Sequence, residues 1–192
     1  NASANGFETG DLGGSMVLIS TQTASSSANI SFTSGIDDTY KEYVFKFIDI
    51  HPANDTVNFQ INASVDGGSN YNVNKTTTYF LAYHTEDNSA TALSYYTNRD
   101  LASSTAAQQI VTIGNANDDS ASGTLTLYNP SSSVFVKHFM SRQQAPTGED
   151  TENCKDTYVA GYFNTTSAIN AVQFTMSSGN IDSGVIKMYG IT

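Results

Sequence analysis

Covalent and ionic staples are nearly missing from this chain: its 192 residues include one cysteine, three prolines, no tryptophan and eight basic side chains. A lone Cys154 excludes an intramolecular disulfide, so stability must come from packing, subunit association or bound ions. Cys154 stands in the polar run from Glu149 to Asp156, which reads as an exposed loop with an inert thiol. Eight basic residues against eighteen acidic ones give a net charge of −10. Such a chain repels a phosphate backbone, which excludes nucleic acid as an expected partner. No apolar run approaches the roughly 18 residues that a membrane helix needs, and no basic-then-apolar start is present, so neither membrane insertion nor a signal peptide is expected. The opening Asn1 to Gly6 does not read as a natural start and suggests a processed or incomplete N-terminus.

Hydroxyls and alternation are what the chain does have. Ser and Thr supply 47 of the 192 residues, so solvation rests on hydroxyls and amides more than on charge. Val57, Phe59, Ile61, Ala63 and Val65 alternate with polar residues, the period of a strand with one wet face. Asp66-Gly67-Gly68-Ser69 follows as a hairpin-type turn in which glycine takes positive φ. Further strands are expected at 17–20, 28–33, 42–50, 75–84, 91–97, 108–113, 123–128, 133–141, 157–163, 169–176 and 185–191, while 99–107 reads as one helical turn. About a dozen short strands without a fixed repeat predict an all-β, antiparallel, jelly-roll-like β-sandwich over residues 16–192. Residues 1–15, rich in Gly, Asn and Ser, read as an N-terminal arm or linker. The last strand is expected to be a core strand that pairs between earlier ones.

Reactive groups are scarce. The three histidines, His51, His84 and His138, read as turn or strand residues, with His84, Glu86 and Asp87 the one metal-like grouping among them. Acid and base pairs for glycoside cleavage would come from Asp37, Asp38, Glu42, Glu86, Asp87, Asp118, Asp119, Glu149 and Asp150, nearly all in runs where turn chemistry accounts for them. Asn115, Asn117, Asp118 and Asp119 space oxygen ligands as a Ca²⁺ loop does, without the register of an EF-hand. A plain hairpin loop is the competing reading. No nucleophile elbow, phosphate loop or dinucleotide fingerprint is present, so no organic cofactor and no catalytic residue is expected. Sugar binding needs an apolar platform with polar groups beside it; Tyr79, Tyr83, Tyr95 and Tyr96 are the candidates.

Several blocks together carry a family resemblance. They are Val17 to Ser27, Phe32 to Asp37, Tyr43 to Phe47 with His51-Pro52, Ser64 to Ser69, Tyr128 to Ser132 with Lys137 to Phe139, and Gly161 to Asn170 continuing to Met188 through Ile191. Over residues 16–192 the chain resembles the C-terminal β-sandwich domain of fibre, spike or decoration-type structural proteins of marine tailed bacteriophages. The resemblance implies a non-enzymatic protein on the virion surface, a homotrimer that contacts major capsid or tail proteins. Its roles would be assembly, capsid stabilisation or host attachment. The alternative is a glycan-binding module, Ca²⁺-dependent or not, for host surface polysaccharide; a polysaccharide depolymerase is the third reading.

Overall fold

Alternating apolar residues need a surface to pack against, and two antiparallel sheets supply it. The computed structural model describes residues 15–146 and 153–192. Twelve strands run in chain order: β1 (Met16–Ser27), β2 (Ile30–Phe32), β3 (Glu42–Pro52), β4 (Val57–Ser64), β5 (Lys75–Thr85), β6 (Thr91–Tyr95), β7 (Gln108–Ile113), β8 (Ala121–Tyr128), β9 (Lys137–Pro146), β10 (Asn153–Phe163), β11 (Ala171–Met176) and β12 (Ile181–Ile191). Every segment read as a strand from the sequence overlaps one, with 133–141 starting four residues before β9.

The large sheet has the order β1-β12-β3-β8-β9-β10-β5-β6 and the small one β2-β11-β4-β7. Set β5, β6, β9 and β10 aside, and the remaining eight strands lie as β1-β12-β3-β8 facing β2-β11-β4-β7. That is a jelly roll, in which the first and last strands pair and the chain winds inward from both ends. The other four strands extend the large sheet beyond β8. As the alternation at the C-terminus implies, β12 pairs with both β1 and β3.

Five phenylalanines join the two sheets of the jelly roll. Phe45 and Phe47 on β3 meet Phe32 on β2, Phe59 on β4 and Phe174 on β11, with centroid separations of 5.1–6.3 Å. All five are buried. Edge-to-face pairs of this kind add roughly 0.5–1.5 kcal/mol each beyond the area they bury.

The extension has a different interior. Its inner face buries Lys75, Thr77, Lys137, Ser141, Gln143, Lys155 and Thr157. The small sheet ends at β7, so part of this face meets irregular chain instead of a strand. Irregular backbone leaves carbonyls unpaired, and buried donors satisfy them. Lys75 Nζ donates to the Ala106 carbonyl at 2.5 Å, and Gln108 Nε2 donates to the Arg99 carbonyl at 3.0 Å. Lys137 Nζ donates to the carbonyls of Ser132, Phe135 and Thr165. Burial lowers the pKa of Lys75 to about 8 and also lowers that of Lys137.

Four expectations need correction. Residues 99–107 form no helical turn; the segment continues along the free edge of β5, where Thr77 N–H donates to the Leu101 carbonyl and Lys75 exchanges hydrogen bonds with Ser104. A sheet edge with open donors outcompetes one isolated turn of helix. The glycines of the 66–69 turn do take positive φ, 72° at Gly67 and 88° at Gly68, yet the turn closes no hairpin. It hands the chain from β4 in the small sheet to β5 in the large one, and residues 114–120 likewise connect β7 to β8 across the sandwich, where a hairpin loop was one reading. Cys154 sits on β10, exposed, and not in a loop. Of the expected N-terminal arm, residues 1–14 lie outside the described residues, while Ser15 hydrogen-bonds to Thr192.

Candidate functional site

Because side chains alternate along every strand, the residues that do not enter the core of the large sheet all emerge on its other face. An antiparallel sheet ordinarily turns a polar face to water. Here that face carries Leu18, Ile48, Phe80, Leu93, Tyr95 and Met140 among the exposed large apolar residues of the protein.

The pairing registers align eight outward residues into one row that crosses every strand of the sheet: Thr21, Lys187, Lys46, Thr124, Arg142, Tyr158, Phe80 and Tyr95. At its extension end the row is rigid. Phe80 and Tyr158 stack with centroids 4.9 Å apart and planes within 2°. The Arg142 guanidinium lies 5.0 Å from the Tyr158 ring centroid. Arg142 also grips Asp156 bidentately, Nε to Oδ1 at 3.0 Å and Nη2 to Oδ2 at 2.7 Å, and Tyr158 Oη donates to the same Oδ2 at 3.0 Å. The guanidinium beside it holds the Asp156 carboxyl below its ordinary pKa. Tyr95 Oη donates to Asp100 Oδ2 at 2.5 Å, which raises the phenol's pKa.

Two shallow hollows of about 380 Å³ each flank Met140 on this face. One lies among Phe80, Thr124, Thr126, Arg142 and Tyr158, the other among Thr76, Tyr128, His138 and Tyr162. Small side chains make the floor: Ala160 borders both. Toward the jelly-roll end the row reaches Lys46 and Lys187, directly opposite each other across β3 and β12. Lys46 Nζ stands 5.5 Å from the Tyr189 ring centroid. Among the described residues the one ion pair is Arg142 with Asp156, so neither lysine is neutralised.

The tyrosines singled out from the sequence divide between two sides of the sheet. Tyr95 is exposed on the outer face. Tyr79 is fully buried on the inner face, which removes it as a sugar platform: it sits at the odd phase of β5 that enters the core. Tyr83 and Tyr96 are half-buried against that core and line a hollow of about 390 Å³ with Arg99, whose guanidinium lies over both Tyr79 and Tyr96.

The oxygen-rich loop is also dispersed. Asn115 turns to Asp55 and the Ala53 carbonyl, Asn117 and Asp118 are exposed, and the Asp119 carbonyl meets His51 Nδ1 at 2.7 Å. Burial raises the Asp119 pKa. His84 Nε2 meets Asn88 Oδ1 at 3.0 Å, and His138 packs edge-on to Tyr162. No group of three or more His, Cys, Asp or Glu side chains able to hold a metal is gathered among the described residues.

Among the acids considered for glycoside cleavage, Asp37 and Asp87 accept hydrogen bonds from the backbone N–H groups of Thr39 and Ser89 that tie them to turns, and the side chains, then the backbone, of those two residues lower their pKa. Asp38 is exposed and Glu42 is half-buried at the start of β3; Glu86 borders a surface hollow with His84 and Cys154. Glu149 and Asp150 lie outside the described residues. Comparison with protein-family models, curated proteins and solved structures finds no match to this chain.

Sequence reasoning missed Phe80, Tyr158, Arg142, Asp156, Lys46 and Lys187. Their outward phase is readable: Phe80 is at an even position of a strand with odd apolar residues, and Tyr158 and Asp156 share the even phase of β10. Which strands lie side by side is not readable, and only that brings residues 46, 80, 142, 158 and 187 into line.

Proposed function

We propose that this chain is a non-enzymatic structural protein of a tailed-bacteriophage virion, a jelly-roll module exposed on the particle. It works by contact, as capsid decoration or as the head of a fibre or spike, in assembly, capsid stabilisation or host attachment. The observation that carries a contact role is the outer face of the large sheet, where Phe80, Leu93, Tyr95 and Met140 stand exposed among threonines and cations. Extended exposed apolar surface on a folded domain marks an interaction site. A homotrimer with further contacts to capsid or tail proteins follows from the sequence resemblance. The edge strand β1 suits that assembly: it is twelve residues long, paired on one side only, and exposes Met16, Val17 and Leu18. A long apolar edge is a template for pairing with another chain.

Immunogold labelling of purified particles with antibodies against residues 16–192 tests the proposal. Regularly spaced gold on the capsid or tail is the expected result; particles without label, while lysate contains the free protein, overturn it. Glycan binding is the second reading, favoured by the row of aromatic rings and cations across the outer face.

A further inference from the structure

We propose that the outer-face row is a binding groove for an extended, sparsely charged acidic glycan, lying across the strands with sugars on Phe80 and Tyr95 and an anionic group between Lys46 and Lys187. The inference deepens the host-attachment part of the function proposed above and rests on it only for biological setting.

Charge is the first argument. The protein has eight basic residues. Lys75, Lys137 and Lys155 are buried, and Arg99 is spread over two tyrosine rings. Of the remaining four, Arg142, Lys46 and Lys187 fall in one cross-strand row. At about 4.8 Å per strand they span roughly 14 Å, and the whole run from Lys187 to Tyr95 spans roughly 29 Å. Like charges placed directly opposite on a sheet destabilise it, so the Lys46–Lys187 pair favours an anion bound beside it.

The second argument is the spacing of that charge. Arg142 is already neutralised by Asp156, which leaves two adjacent cations and then a neutral, ring-lined stretch. A nucleic acid carries a phosphate at every nucleotide and meets a net charge of −10. A polysaccharide with one carboxylate or sulfate among several neutral sugars fits one cationic end and one aromatic end.

The third argument is the surface chemistry. Tyr158 has Phe80 on one side and Arg142 close to its ring, leaving Phe80 and Tyr95 as the free apolar surfaces, and the apolar C–H face of a pyranose packs on such rings. Thr124, Thr126 and Arg142 border the adjoining hollow with hydroxyls and N–H groups suited to sugar hydroxyls. The cores of protein interfaces are depleted in lysine, so a lysine pair within the row disfavours a second copy of the chain as occupant.

Titration calorimetry of the full chain tests this, with oligosaccharides of hyaluronan and gellan, bearing a carboxylate on alternate and on every fourth sugar, against dextran of equal length and oligo-dT. Binding of at least one acidic oligosaccharide, at least tenfold tighter than dextran, is expected. The double variant Lys46→Gln/Lys187→Gln should lose that tenfold preference with no drop in its thermal midpoint, and Phe80→Ala should weaken binding of acidic and neutral sugars alike. The proposal is overturned if neither acidic oligosaccharide binds, if the double variant binds them unchanged, if oligo-dT binds more tightly, or if the lysine changes alter self-association and not sugar binding. None of these outcomes bears on particle labelling, so the glycan site and the virion location fail separately.

Discussion

The eight jelly-roll strands and the four-strand extension solve burial in opposite ways. Between the two sheets of the jelly roll, each inward residue meets another strand's inward residue, backbone groups are already paired within the sheets, and the filling is phenylalanine. Part of the extension meets irregular chain, and beside Tyr79, Leu81, Phe139, Val159 and Phe163 its filling includes Lys75 and Lys137, bonded to loop carbonyls, and Thr77, which donates to Gln108 Oε1. Among the described residues Tyr79 Oη, Gln143 Oε1 and Thr157 Oγ1 are buried there without a hydrogen-bond partner. The apolar half supplies stability by area, and the polar half supplies position: Lys137 fixes the loop that exposes Val134 and Phe135, and β9, β10, β5 and β6 carry the aromatic end of the outer face.

The largest expected effect lies in the jelly roll. Phe174→Ala removes the ring that touches Phe32, Phe45, Phe47 and Phe59 and should cost about 3–5 kcal/mol in urea unfolding. If the loss is under about 1 kcal/mol, the aromatic cluster is not the main source of stability. Next comes Lys137→Met, which strips the donor from three carbonyls and should cost about 3 kcal/mol, with faster proteolysis near Phe135. Equal loss without altered proteolysis would mean that Lys137 supports the fold and not the loop.

Lys75 gives the comparison a pH signature. Its folded pKa of about 8 lies below the ordinary 10.5, so the unfolded chain holds the proton more tightly and protonation opposes folding. This penalty is present in full below pH 8 and fades as pH rises toward 10.5. Relative to Lys75→Met, the native protein should gain about 2 kcal/mol of unfolding free energy between pH 7 and pH 9.5. A flat difference would place the Lys75 amine in a wetter setting.

Surface changes should be smaller. Arg142→Ala breaks a solvent-exposed pair and should leave the urea midpoint nearly unchanged while weakening glycan binding, which separates the outer face's role in contact from any role in folding. Smallest of all, Lys187→Gln relieves a like-charge cross-strand pair and should stabilise the fold by roughly 0.2–1 kcal/mol. No stabilisation would show that Tyr189 beside Lys46 already absorbs the repulsion.

Strand content was legible because period-two alternation is local: Val57, Phe59 and Ile61 announce a buried phase without reference to any partner, although Asn62 and Ser64 on the expected wet phase are buried as well. The glycines at 67 and 68 were legible for the same reason, since positive φ is a property of the residue itself. The candidate site was legible in one residue of four, Tyr95. Tyr79 has the same composition of neighbours yet faces inward, and adjacent Tyr96 leaves the strand and packs against the core.

By itself, then, the sequence determined an all-β sandwich without disulfides, and a C-terminal strand built into the core. The tertiary structure alone decided that β5, β6, β9 and β10 extend one sheet past the jelly roll, and that Lys46, Arg142, Tyr158 and Phe80 form a line. The reason is physical: alternation is written in neighbouring residues, whereas pairing between strands that lie tens of residues apart is chosen by how all the inward faces pack at once.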